Sequence, residues 1–316
     1  MIIQPMNTET LPATSLPTLN GVARLDHLGV IQIEGEDAAK FIHGQLTHDF
    51  ALLDLTSARL AAFCSAKGRM QASFIAFKRP GGDILLVCSK DLLAPTMKRL
   101  SMFVMRAKAR LSDASERFSV YGLAGDAIKE IAASAGSTWA KADFGTETVV
   151  NLYPADSTPR QLWVAPVEAA APQGNALPLE TWLWSEVRSG IATVSQPVFE
   201  AFVPQMLNYE SVDGVSFKKG CYPGQEVVAR SQFRGTLKRR AFVVQASGAV
   251  AAGQEIFARG DDEQPVGMVV QAAHSPRGEM QAIVSLQLAA VPAGGLHVGA
   301  VSLLMLPLPY PLLEDI

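Results

Sequence analysis

The sequence predicts an α+β protein followed by an all-β C-terminal barrel, on three observations. Between residues 20 and 200, short strand-like runs come in meanders backed by single amphipathic helices, without the regular strand–helix alternation of a parallel sheet. From Arg240 onward the helical period disappears, and about five strand-like runs follow one another, separated by Gly, Pro and Asp turns. No glycine-rich phosphate loop follows a strand, so a doubly wound nucleotide fold has no local support. A chain of 316 residues, 48% hydrophobic and 18% charged, is composed like an ordinary globular protein and is long enough for two or three domains. The expected division is a loose tail over residues 1–20, an α+β region of two subdomains over 21–236, and a barrel over 237–316, with the best break near Thr236.

The elements follow in order. Val30 to Ile33 is β-branched and alternating, and Gly35 closes it; Glu36 and Asp37 then supply N-terminal acids to a helix carrying Ala38, Phe41, Ile42 and Gln45. Arg59 to Cys64 and Met70 to Phe77 read as strands joined through Ser65-Ala66-Lys67-Gly68, and Pro80-Gly81-Gly82 turns the chain into Ile84 to Cys88, which completes a three-strand meander. Ser89 and Asp91 suit the start of a helix with Leu92, Leu93, Met97 and Leu100 on one face. Ser119 to Leu123 is a strand, Gly125 to Ala135 an alanine-rich helix, Val149 to Leu152 and Leu162 to Val167 further strands, and Leu179 to Ser189 a helix after the loop from Ala169 to Pro178. The barrel strands are expected at Ala241–Gln245, Gln254–Ala258, Val266–Gln271, Met280–Leu286 and Val298–Leu306.

Several function classes are disfavoured. The apolar run Val298 to Leu313 is broken by Pro307, Pro309 and Pro311, so it does not cross a bilayer as a helix. The first twenty residues carry Glu9 as their one charged side chain and lack both secretory and mitochondrial targeting features, which points to a cytoplasmic protein. Three cysteines, Cys64, Cys88 and Cys221, with no close pair fit a reducing compartment. No CxxC spacing supplies zinc or iron–sulfur ligands, and His27, His43 and His48 are scattered, so no metal site is expected. Any metal chemistry is chemistry this chain serves.

One stretch concentrates reactive side chains: Phe217-Lys218-Lys219-Gly220-Cys221-Tyr222-Pro223-Gly224-Gln225-Glu226. A Gly before Cys221 and a Pro-Gly turn after it argue for an exposed, sharply bent segment and a reachable thiol. Lys218 and Lys219 favour the thiolate, while Glu226 opposes it. Gly220 and Gly224 serve backbone shape, and Gln225 and Glu226 serve local hydrogen bonding. Lys218, Lys219, Arg230, Arg234, Lys238, Arg239 and Arg240 stand against Glu226 alone, a local charge of +6 in a chain of net charge −3. That run is an expected anion-facing patch, for a polyanionic ligand tail or for an RNA backbone, although few aromatic residues interleave it.

The run KKGCYPGQEVVAR resembles the signature of the YgfZ-type folate-binding proteins, relatives of the aminomethyltransferase (T-protein) of the glycine cleavage system. Gly44-Gln45-Leu46-Thr47-His48-Asp49, Ala66-Lys67-Gly68-Arg69-Met70 and Phe202-Val203-Pro204-Gln205-Met206-Leu207-Asn208 are similar in the same order, covering residues 25 to 240. The resemblance implies two interlocked ferredoxin-like α+β subdomains around a cavity, then a β-barrel. It implies a tetrahydrofolate, or a derivative, bound near Trp182 and near Leu28. It also implies support for the assembly or repair of iron–sulfur enzymes and, through them, tRNA modification, with Cys221 as the working thiol. Read without the resemblance, Trp182 on an amphipathic helix is a core residue.

Two positions depart from the transferases. Arg188 stands where they carry a glutamate that holds the pterin edge, and a guanidinium has only donors, so pterin binding in their manner requires Glu186 to reach the same space. Gln71 and Ala72 stand where they carry acidic residues, which leaves nothing to assist attack at folate N5. An accessory protein is therefore expected ahead of a folate-dependent aminomethyl or one-carbon transferase, with a tRNA-binding module built on residues 218–240 as a third reading.

Overall fold

The computed structural model describes residues 19–128, 136–233 and 237–313. Most of the expected tail, residues 129–135 of the alanine-rich helix, Arg234 and Thr236 lie outside the described residues. In chain order the elements are β1 (Gly21–Arg24), β2 (Leu28–Glu34), α1 (Ala38–His43), β3 (Ala58–Cys64), β4 (Met70–Lys78), β5 (Ile84–Ser89), α2 (Lys90–Ser101), β6 (Arg110–Asp113), β7 (Phe118–Ala124), β8 (Lys141–Phe144), β9 (Glu147–Ala155) and β10 (Thr158–Pro166). After these come α3 (Leu179–Ser189), α4 (Gln225–Phe233), β11 (Arg239–Ala246), β12 (Glu255–Ile256), β13 (Gly267–His274), β14 (Met280–Gln287), β15 (His297–Val298) and β16 (Val301–Leu306).

The strands form three antiparallel sheets, ordered β3-β4-β5-β2-β6, β1-β7-β10-β9-β8 and β12-β13-β14-β11-β16-β15. The first two interlock because β1 pairs with β7 in the second sheet while β2, four residues on, pairs with β5 and β6 in the first. The third is the expected barrel-like C-terminal unit, with six strands where the sequence suggested about five. The short strands β1, β6 and β8 were not foreseen, since four residues at a sheet edge carry too little alternation to register. Nor was α4, whose sequence read as a basic run.

Period-2 alternation partitions the core. In β3, Leu60, Ala62 and Cys64 face the centre of the molecule, while Ala61 and Phe63 face α1 and α2; in β5, Leu85 and Val87 face inward and Ile84 and Leu86 outward. Phe41 and Ile42 of α1 and Leu93 and Leu100 of α2 cover that outer face. The inward face meets Val120, Val150, Leu162 and Val164 of the second sheet and Trp182 of α3 in one continuous core. Strands buried on both faces read as unbroken apolar runs, as β5 does. Ser89 starts α2 without accepting a capping bond from a backbone N–H; its hydroxyl instead donates to Asp91 Oδ1 at 2.6 Å.

Candidate functional site

Between the two inward sheet faces lies a narrow slot of about 50 Å3, walled by Leu28, Leu60, Ile75, Leu162 and Trp182, with Glu186 at its rim. Trp182 and Glu186 share a face of α3 because four residues make about one helical turn. The indole is packed against β7 at Gly122, where a Cβ would come within 2.5 Å of the ring. Trp182 Nε1 donates to Glu186 Oε1 at 3.0 Å, and Gln271 Nε2 of the barrel donates to Oε2 at 2.8 Å, so the carboxylate is held at the rim from two sides. The buried Arg160 guanidinium stacks over the indole at 5.0 Å and donates to Tyr153 O and Ser185 Oγ. Burial pushes its pKa down to about 10, with Glu186 opposing the shift. Glu186 and Thr193 also line a neighbouring cleft of about 270 Å3 against the barrel, where both ring nitrogens of His27 lack a partner.

Leu28 and Trp182 are thus brought together at one slot. Arg188 is not: six positions from Trp182 it points off another face of α3 and grips Asp156 through Nε at 2.9 and 3.0 Å. Glu186 lines the slot, whereas Arg188 does not. Sequence reasoning missed Arg160 and Gly122. A lone arginine entering the apolar strand Gln161-Leu162-Trp163-Val164 was the available signal.

The four segments that carry the family resemblance converge on a second centre. Cys221 is exposed, whereas Cys64 and Cys88 are buried with their thiols pushed up to about 12 by burial. Lys219 is buried; its Nζ donates to the carbonyls of His43 and Leu46 and lies 4.8 Å from the Tyr222 ring centre. Burial pulls Lys219 down to about 8, against the opposing influence of Asp49 and Cys221. Thr47 ties the segment down from the same side: its Oγ1 donates to Gly214 O and accepts from Ala62 N, while its carbonyl accepts from Ser216 N. Gly224 adopts φ +80° directly against the Ser65–Gly68 turn, where a Cβ would sit 2.4 Å from Ser65 O. Buried Gln205 donates to Val228 O of α4, and Asn208 exchanges two hydrogen bonds with Ala241 of β11. The Phe202–Asn208 segment is therefore the joint between the thiol helix and the barrel.

The thiol does not line the slot. The β3–β4 hairpin joins the two places: Leu60 and Ile75 wall the slot, and the tip at Ser65–Gly68 supports Gly224. Cys64, near that tip, lies within electrostatic reach of Tyr222 on one side and slot-lining Tyr209 on the other.

The expected anion patch disperses. Arg240 is buried against Glu210 and donates to Leu313 O; Lys219 is consumed by carbonyls; Arg230 pairs with Glu226 at 3.1 Å along α4. Arg239 is half-buried, its pKa drawn down by burial and by nearby Arg69. Lys218 and Lys238 remain exposed. Contiguity in sequence did not give one surface, because β11 alternates its side chains between two faces and the helix turns its own every third or fourth residue. Among the described residues no three His, Cys, Asp or Glu side chains converge as a metal site.

No protein-family model matches the chain. The tRNA-modifying protein YgfZ of Klebsiella pneumoniae (strain 342) is 30% identical over 329 aligned positions, covering 99% of this chain and 97% of that protein. The chain belongs to the YgfZ family. The YgfZ of Edwardsiella ictaluri (strain 93-146) is likewise 30% identical, over 97% of this chain and 95% of the relative. Among solved structures, the glycine cleavage system aminomethyltransferase T from Bartonella henselae superposes with a TM-score of 0.64 at 14% identity, over 93% of this chain and 86% of that one. At that identity the superposition establishes the fold, which is that of the aminomethyltransferases, as the YgfZ resemblance implied. Among the described residues no helix is long and apolar enough to cross a membrane.

Proposed function

We propose that this YgfZ-family chain binds a reduced folate at the slot and supports iron–sulfur enzymes, and through them tRNA modification, in the cytoplasm. The observation that carries the reading is the meeting of Leu28, Trp182 and Glu186 at one slot within an aminomethyltransferase fold. A flat heterocycle needs apolar walls and a few fixed polar groups. Trp182 and Leu28 offer the walls, and Glu186 offers acceptors for ring N–H groups. The slot at about 50 Å3 is well under the ~300 Å3 of a small ligand pocket, so entry requires the rim at Glu186 and Thr193 to part toward the adjoining cleft. Reduced folate, when bound, supplies a carrier for one-carbon units; the chain's residues orient it and exclude water. Titration of tetrahydrofolate against the purified protein tests this, with Glu186→Gln keeping the packing and Trp182→Ala removing a wall. A saturable isotherm weakened at least about tenfold by Glu186→Gln is expected, the value of a hydrogen bond to a charged group. Equal binding by both variants overturns the reading.

At the other end of the hairpin, the exposed Cys221 offers its thiol to client chemistry. Thiolate attack on a carrier persulfide would move the outer sulfur to Cys221 and release the carrier thiolate, with no net oxidation. Client iron–sulfur enzyme activity in cells carrying Cys221→Ala is expected to fall, and unchanged activity removes the thiol from the mechanism. Aminomethyl transfer stands as the second reading, because Glu186 provides the acceptor that Arg188 does not. Against it, Gln71 is bonded to Glu200 outside the slot and Ala72 is buried among apolar side chains, so no carboxylate follows the Ser65–Gly68 turn. A folate-dependent methylamine-transfer assay separates the two.

A further inference from the structure

On the outer side of the Ser65–Gly68 turn, away from the slot, lies a cleft of about 490 Å3 between the β3–β4 hairpin, α2 and the Phe199–Glu200 corner. Its chemistry is mixed. Lys67 and Arg99 line it and are exposed, and among the described residues neither has a carboxylate partner. Arg99 is stacked at 5.4 Å on Phe103, itself 42% exposed, which restrains the guanidinium without neutralising it. Phe199, 38% exposed, adds an aromatic face. Two buried polar atoms of the lining residues, Ser65 Oγ and Gln71 Oε1, have no hydrogen-bond partner, although Gln71 Nε2 is fixed at 2.7 Å on Glu200. That bond sets the amide, so Oε1 is an acceptor left without a donor. Both atoms are sealed from the open space of the cleft, so they shape its wall and do not meet a ligand.

Free cations and an open aromatic face in a cleft of this size select an anion joined to a flat ring. We infer that the cleft binds a nucleotide unit, with the phosphate drawn by Lys67 and Arg99 and the base stacked on Phe199. A mononucleotide and one residue of single-stranded RNA share this chemistry. Folate binding at the slot is not required for it, so failure of either reading leaves the other standing.

The test is calorimetric titration of the purified full chain with AMP, with UMP, with a fluorescein-labelled single-stranded RNA hexamer read by anisotropy, and with tetraglutamate as an anion without a base. Saturable binding of AMP, weakened about tenfold by each of Lys67→Glu and Arg99→Glu, assigns the cleft to free nucleotides; the same losses with the hexamer alone assign it to RNA. UMP, whose single pyrimidine ring offers less stacking area than adenine, is expected to bind more weakly than AMP, and Phe199→Ala is expected to erase the difference. Lys67 and Arg99 are surface residues, and circular dichroism of the two variants confirms that they fold. The inference is overturned by any of three results: no binding of AMP or RNA at millimolar concentration, affinity indifferent to both charge reversals, or tetraglutamate binding as tightly as AMP.

Discussion

The slot and the thiol segment are built in opposite ways. The slot draws Leu28, Trp182 and Glu186 from positions spread over more than a hundred residues, and its polar groups point at one space. The basic run 218–240 is a single stretch of chain, yet its cations scatter: Lys219 inward to carbonyls, Arg240 inward to Glu210, Lys218 outward. Nearness along the chain and nearness in space are different properties, and charge arguments hold only for the second. The density of basic residues at 218–240 is partly scaffold for Cys221 and partly cement for the barrel.

Breaking the barrel part has the largest effect. Arg240→Ala leaves the Glu210 carboxylate buried without its cation, and is expected to cost about 3–5 kcal/mol, read as a lower urea midpoint. A variant that kept full stability while losing RNA binding would restore the dispersed patch to a surface role. Gly224→Ala forces a Cβ into Ser65 O at a positive φ and is expected to cost about 1–3 kcal/mol; it also shifts the turn between thiol and cleft, so proteolysis near residue 224 should speed up.

Lys219 gives a pH signature. Its folded value near 8 lies below the roughly 10.4 of an unfolded lysine, so between those values the unfolded chain binds more protons and stability from this group rises with pH. Its charge costs stability below pH 8, and that cost is relieved through the window above it. Urea midpoints of the native chain are therefore expected to climb between pH 7.5 and 9.5 relative to Lys219→Met, and parallel curves would place Lys219 in water. The smallest change belongs to Cys221. Cys221→Ser is expected to alter stability by less than about 0.5 kcal/mol, and brief iodoacetamide treatment of the folded protein should modify Cys221 while sparing Cys64 and Cys88.

The strands of the two meanders and the helix Leu179–Ser189 were legible because alternation and helical spacing are local properties of burial. Edge strands and α4 were not: short edges lack a pattern, and in α4 the charged residues masked a modest apolar face of which Val228 and Gln232 are buried. The sequence by itself determined the α+β class, the barrel at the end and the exposed thiol between glycines, since each rests on residue type and neighbours. Only the tertiary structure decided that Glu186 and not Arg188 faces the slot, that Arg240 is interior, and that Cys221 stands apart from the slot across one hairpin. Those outcomes depend on which face of an element meets another sheet, and packing between distant segments sets that choice.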